Sequence, residues 1–206
     1  MNAGAHDGSG RAVAVEERGP FAVLRLDRPA RRNPLSVSTL DELDSLFSSV
    51  SARAEIHAVV ITGAGDVFAS GANIRELSAL SPAAARAFAE RGQRLFRKIS
   101  EARPLTVAAV NGFCMGGGLD LALACRLRVA SRGAVFAHPG ARLGIITGWG
   151  GTQRLPRLIG EARAFEMFLT ARTISAAEAY EWGLVSHVGE TALDCALDVV
   201  RSLIAR

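Results

Sequence analysis

Apolar residues in this chain fall into short runs, and the period of each run sorts it into strand or helix. Residues 12–17 and 21–26 alternate or run apolar on either side of Arg18-Gly-Pro20, which predicts a β-hairpin. Residues 57–62 and 105–111 are continuous apolar runs of strand length, the pattern of strands buried on both faces. Between them the period changes to that of a helix. Ser36 or Ser38 caps a predicted helix running to about residue 52, with Leu40, Leu43, Leu46 and Phe47 on one face. Ser81-Pro82 opens a longer amphipathic helix to about residue 101, with serine as cap and proline at the first helical position. Further on, residues 119–125 read as helix, and 127–130 and 134–136 as short strands. From Gly150 the pattern is mostly helical, with a late short strand predicted at 184–188. Strands alternating with helices define an α/β chain, and the absence of repeats or low-complexity linkers argues for one domain.

Composition narrows the classes. The chain has 206 residues, 49% hydrophobic and 21% charged, which suits a single globular domain rather than a disordered or fibrous chain. No apolar run approaches the length of about 18 residues that a membrane-spanning helix needs, so no membrane partner is expected. Net charge is +4, but Lys98 is the only lysine and aromatics make up 6%. No basic run interleaves with aromatics, so nucleic-acid binding is not expected either. The three cysteines, Cys114, Cys125 and Cys195, suit neither a zinc site nor a disulfide framework. They point to a reducing, cytoplasmic setting without a metal. The first eleven residues lack the apolar core of a secretory signal and read as a flexible tail before a domain over 12–206.

Two glycine-containing turns carry the candidate chemistry. Each follows a strand and precedes a helix: Phe68-Ala-Ser-Gly-Ala-Asn-Ile-Arg-Glu76, and Asn111-Gly-Phe-Cys-Met-Gly-Gly-Gly-Leu-Asp120. Such turns aim unpaired backbone N–H groups at an anion, and small side chains let a ligand approach the backbone. Two converging donors would form an oxyanion hole, although a tight turn with packing glycines accounts for either turn taken alone. The second turn also contains Gly112-Phe-Cys114-Met-Gly116, the spacing of a nucleophile elbow, with His138 or His187 available as base. Three successive glycines are not part of an elbow, so a buried structural cysteine is the preferred reading.

Taken in order, these segments resemble the crotonase (enoyl-CoA hydratase/isomerase) superfamily. The matching pieces are Leu26-Asp-Arg-Pro-Ala-Arg-Arg-Asn-Pro-Leu35; Ala58-Val-Val-Ile-Thr-Gly63; Phe68-Ala-Ser-Gly-Ala-Asn-Ile-Arg-Glu-Leu77; Ala108-Ala-Val-Asn-Gly112 running into Gly116-Gly-Gly-Leu-Asp120; Leu143-Gly-Ile-Ile-Thr-Gly-Trp-Gly-Gly-Thr-Gln-Arg-Leu155; and Ile174-Ser-Ala-Ala-Glu-Ala through Gly183-Leu-Val185. The resemblance implies a spiral of ββα units assembled as a homotrimer or a pair of trimers. It also implies an acyl-CoA thioester as ligand, coenzyme A being part of the substrate and no other cofactor being needed. By position, the backbone N–H groups of Ala72 and Gly117 would hold the thioester oxygen, with Gly71 and Gly116 beside them. Ser70, Asn73, Ile74 and Arg75 would line the same loop near the pantetheine and adenine. Arg28, Arg31 and Arg32 are candidates for the CoA phosphates.

The chain also departs from that pattern. Hydratases of the family use two glutamates, and at those positions stand Asp120 and Gly140. Asp120 is then the expected catalytic side chain, and Gly140 transfers no proton. His138 is a structural histidine or a replacement acid/base. Trp149, on the glycine-rich bend, is expected as a pocket wall or core residue. The activity implied is enoyl-CoA hydration or isomerisation through a held enolate. Decarboxylation, thioester hydrolysis or thioester binding without catalysis are the alternatives. Family members usually continue into further C-terminal helices. Here the sequence reaches Arg206 inside a helix that starts near Ala192, so either the chain is truncated or the pocket is more open, and an exposed apolar patch is expected.

Overall fold

The computed structural model describes residues 10–204; most of the tail expected over 1–11 lies outside these. The hairpin forms as β1 (Val13–Arg18) and β2 (Phe21–Leu26), paired antiparallel. The short ladder strand β3 (Pro34–Leu35) follows, then helix α1 (Val37–Ser51), capped by Ser36, whose side chain accepts from the Thr39 N–H. The strands β4 (Ala58–Gly63), β5 (Val67–Ala69) and β6 (Gly71–Ala72) lead into helices α2 (Ile74–Ser78) and α3 (Pro82–Ser100). Next come β7 (Leu105–Val110), β8 (Phe113–Met115) and α4 (Gly117–Ala124), then β9 (Leu127–Ser131) and β10 (Val135–Ala137). The last part contains α5 (Gly151–Ile159), α6 (Glu161–Thr170), β11 (Ile174–Ser175), α7 (Ala176–Glu181), β12 (His187–Gly189) and α8 (Ala192–Ile204).

Two sheets are stacked by this order. The larger runs β1-β2-β4-β7-β9-β12, parallel from β2 onward, and the smaller runs β11-β10-β8-β5. Each turn of chain therefore lays one strand in the large sheet, one in the small sheet, and then helical structure: β4-β5, β7-β8 and β9-β10 are successive turns of the expected ββα spiral. The period-2 alternation of the buried strands splits the core between two faces. Val23, Val60, Val107 and Val129 point to α8, where Ala196, Leu197 and Val200 cover them. Leu24, Ile61, Ala108 and Ala130 point to the other side, toward Phe47 of α1, Phe96 of α3 and Leu121 of α4. No helix of the described residues is long and apolar enough to cross a membrane.

Several elements differ from the sequence expectation, among them the unpredicted short strands β5, β6 and β11. Within the glycine-rich turn at 112–118, Phe113–Met115 forms β8, because it pairs with β5 and β10 on either side, and α4 opens already at Gly117. The late strand lies at 187–189, not 184–188. Leu184 and Val185 are buried, but both their N–H groups bond the Ala179 carbonyl and wrap the end of α7 instead.

Candidate active site

The first glycine turn is fastened from below by a buried asparagine. Asn33 sits in a left-handed conformation (φ 48) that asparagine tolerates better than most residues. Its side-chain amide donates to the Val67 carbonyl at 2.7 Å, and its Oδ1 accepts from the Arg28 N–H at 2.8 Å. That anchors β3, which pairs in parallel with β6, so Leu35 lies opposite Ala72. Gly71, at φ 94, occupies a backbone region closed to most side chains. A Cβ there would lie 2.8 Å from the Met115 carbonyl oxygen and 3.0 Å from the Gly117 nitrogen. The two glycine turns thus touch at their backbones.

The second turn brings the other donor. The Gly116 N–H bonds the Ala137 carbonyl at 2.9 Å, which pins the turn to the end of β10. Gly117 opens α4, where the first N–H groups lack intrahelical acceptors and the helix dipole favours negative charge. A Cβ on Gly117 would overlap the Trp149 ring and lie 3.4 Å from the Ala72 nitrogen. The Ala72 and Gly117 backbones are therefore neighbours across a gap that only glycine leaves open.

A cavity of about 520 Å³ opens beside these two residues. Of the candidate site residues, Ser70, Gly71, Ala72, Ile74, Gly116, Gly117, Gly140 and Trp149 line it. Its remaining walls are largely apolar, with Leu77, Leu80 and Phe88 from one side and Ile145, Ile146 and Phe168 from the other. Gly140 bonds back to the Ile145 N–H through its carbonyl, and a Cβ there would sit 2.5 Å from the Ile145 carbonyl oxygen. Trp149 is buried: its ring stacks at 5.2 Å on Phe88 and at 5.5 Å edge-on to Phe96, and its indole N–H donates to the Phe88 carbonyl.

Other expected residues lie off the cavity wall. Asn73 caps α2, its side chain accepting from the Arg75 N–H at 3.1 Å, while Arg75 is exposed. Arg28 donates to the Gly10 carbonyl at 3.2 Å, and the Arg32 guanidinium lies 5.9 Å from the centre of the Phe113 ring. Arg31 ends the short 3-10 turn Pro29–Arg31 on the same loop. Asp120 is fully buried in α4, behind the wall, because every residue from Gly118 to Ala124 is buried. One of its oxygens accepts from the Thr147 hydroxyl, and the other faces His138 Nε2 at 3.4 Å. Burial raises the Asp120 carboxyl to about 7, against the opposing pull of Thr147, the Trp149 amide and the Arg154 charge. Burial also lowers His138 to about 4. Both shifts oppose charge, so the two groups meet at 3.4 Å as a neutral pair rather than as an ion pair.

Cys114 is buried in β8 and absent from the cavity wall, and burial pushes its thiol well above the ordinary value, with the Asp120 charge adding to the shift. A thiolate nucleophile has no support there. His187 is exposed and bonds its neighbour Ser186 instead. Sequence reasoning missed Asn33 and Thr147. An asparagine before a proline signals a turn but not a clamp, and nothing local links Thr147 to a carboxyl 27 positions earlier.

Two stacked sheets wound as ββα turns, with paired glycine turns opening on an apolar cavity, define the crotonase class. The chain belongs to the enoyl-CoA hydratase/isomerase family, whose model matches residues 16–205. It is 40% identical over 179 residues to a short-chain-enoyl-CoA hydratase of Clostridium acetobutylicum, covering 86% of this chain and 69% of that protein. It is 41% identical over 177 residues to a crotonyl-CoA hydratase of Syntrophomonas wolfei, covering 85% and 68%. Among solved structures, an enoyl-CoA hydratase from Bacillus anthracis superimposes with a TM-score of 0.91 at 32% identity, covering 95% of this chain and 78% of that one. Pseudomonas aeruginosa DspI gives 0.91 at 33% identity, covering 100% and 84%.

Proposed function

We propose that this chain is an acyl-CoA-processing lyase that hydrates a 2-enoyl thioester through an enolate, the thioester oxygen bound by the Ala72 and Gly117 backbone N–H groups. The contact of the two glycine turns at one edge of an apolar cavity carries this reading. Addition to the double bond moves negative charge onto a single oxygen, and two preorganised N–H donors at a helix start stabilise that charge where it develops. Leu77, Leu80, Phe88 and Ile146 suit an apolar acyl chain. Gly140 lines the cavity with backbone alone. Arg28, Arg31, Asn73 and Arg75 are not part of the cavity wall and are the candidates for holding the CoA nucleotide outside it. Coenzyme A enters as part of the substrate, with no further cofactor.

Incubation of the purified protein with crotonyl-CoA, followed by loss of enoyl absorbance, tests the reading. Turnover is expected; binding of crotonyl-CoA without turnover would rule out hydration. One observation favours a second reading, thioester hydrolysis or decarboxylation: Asp120 does not reach the cavity and Gly140 has no side chain, so a reaction needing fewer proton transfers would suit the wall. The same proposal includes a cytoplasmic trimer or pair of trimers, supported by the exposed Phe165, Leu169 and Tyr180, and sedimentation measures that assembly.

A further inference from the structure

His138 precedes the short 3-10 turn Pro139–Leu143 and is 3% exposed, yet it lines the cavity. Its Nε2 and the Asp120 Oδ1 it faces are both buried without a hydrogen-bond partner among the described residues. Gly151 makes the approach possible: a Cβ there would overlap Oδ1 and lie 3.1 Å from His138 Cε1. The Phe168 ring, tilted at 4.9 Å, holds the imidazole from the other side. The carboxyl is behind the wall and the ring is in it, so a ligand in the cavity meets the imidazole first.

We propose that His138 is the group that exchanges protons with the bound thioester, and that Asp120 acts through it as a positioning residue. This rests on the reading above that an acyl-CoA occupies the cavity. With the Nε2–H of a neutral ring directed to the Asp120 carboxylate, Nδ1 carries the free lone pair. Water adds its oxygen to the β-carbon and gives a proton to Nδ1. The double-bond pair moves onto the thioester oxygen as an enolate. The imidazolium, stabilised by the carboxylate, then returns the proton to the α-carbon, where the enolate pair forms the C–H bond. The ring ends neutral, and one water has been added. A single group serves as both base and acid, so position 140 needs no carboxyl.

The charged and titratable groups facing the pair are Asp120 from α4, Arg154 from α5 and the Cys114 thiol of β8, which burial and the Asp120 charge keep protonated; Thr147 and Phe168 are uncharged. The basic form of the pair is complete once the carboxyl ionises, near 7, so the rate is expected to rise through neutral pH.

Two reactions test the assignment: crotonyl-CoA hydration, and deuterium exchange at the α-carbon of butyryl-CoA in heavy water, read by NMR. His138→Gln is expected to slow both by about 10²- to 10⁴-fold while butyryl-CoA affinity stays unchanged. Asp120→Asn is expected to lower kcat at constant KM and to move the acid-side inflection of the remaining activity downward. Full activity of a folded His138→Gln overturns the proposal and leaves the hydratase reading standing. Exchange that depends on His138 without hydration supports the dyad and overturns hydration. If butyryl-CoA binds and neither reaction occurs, or if it does not bind, both fall. Should the variants fail to fold, the wild-type exchange rate decides: a rate flat across neutral pH overturns the assignment, and a rise through about 7 supports it.

Discussion

On one side of the cavity Ala72 and Gly117 present backbone amides; on the other, His138 presents a ring backed by Asp120. The amide side is set by shape alone. Its proposed donors are held by the β3–β6 ladder, by the positive φ at Gly71 and by the start of α4, and none of these titrates. The ring side is set by the loss of water around two ionisable groups and responds to every proton. A substitution on the first side acts by displacement, and one on the second acts by changing where a proton sits. That difference can be broken from either side.

The largest effect is expected at Trp149, which braces the amide side from behind. Its ring abuts Gly92 and Gly117 and stacks on Phe88 and Phe96, so Trp149→Ala leaves a core cavity and should cost about 3–5 kcal/mol in urea unfolding. Gly71→Ala follows. The new methyl meets the Met115 carbonyl at 2.8 Å and pushes on the Gly117 nitrogen at 3.0 Å, so kcat on crotonyl-CoA should drop by about 10²- to 10³-fold. Wild-type turnover in that variant would mean that the amides are not the donors.

The ring side predicts a pH signature in stability. Asp120 titrates near 3.8 in the unfolded chain and near 7 when folded, so its contribution is lost as pH rises between them. His138 titrates near 6.5 unfolded and near 4 folded, so its contribution grows as pH rises over nearly the same interval. The two slopes have opposite signs, so in the wild type they oppose each other. Thermal melts across that range should therefore respond less to this pair in the wild type than in either single variant. They should fall on acidification for Asp120→Asn and fall on raising the pH for His138→Gln. The smallest effect serves as a contrast far from both sides. Ser175 caps α7 in a reciprocal box with Glu178, and Ser175→Ala should cost about 1 kcal/mol without altering kcat.

The two sides also differ in how far the sequence reveals them. Period and punctuation are local, so the hairpin, α1, α3, β4 and β7 were legible, as were the two glycine turns. β8 was hidden because a three-residue strand is too short to show a period, and only pairing with β5 and β10 makes it one. Asp120 was visible as a residue and its burial was not. Residues 118–124 are buried on all faces, so the polar residue among them carries no contrast that would mark its side. The meeting of Asp120, His138 and Thr147 depends on chain brought back by the spiral, and so does the grip of Asn33 on Val67. Nothing within a local window encodes either.

Trp149 also ties distant positions into one mechanical unit. The indole occupies the volume that a Cβ on either Gly92 or Gly117 would need, one on α3 and one on α4. A side chain at either glycine has to displace the ring, and a displaced ring loosens both helices at once. Three positions scattered over 58 residues of sequence thereby act as a single wedge.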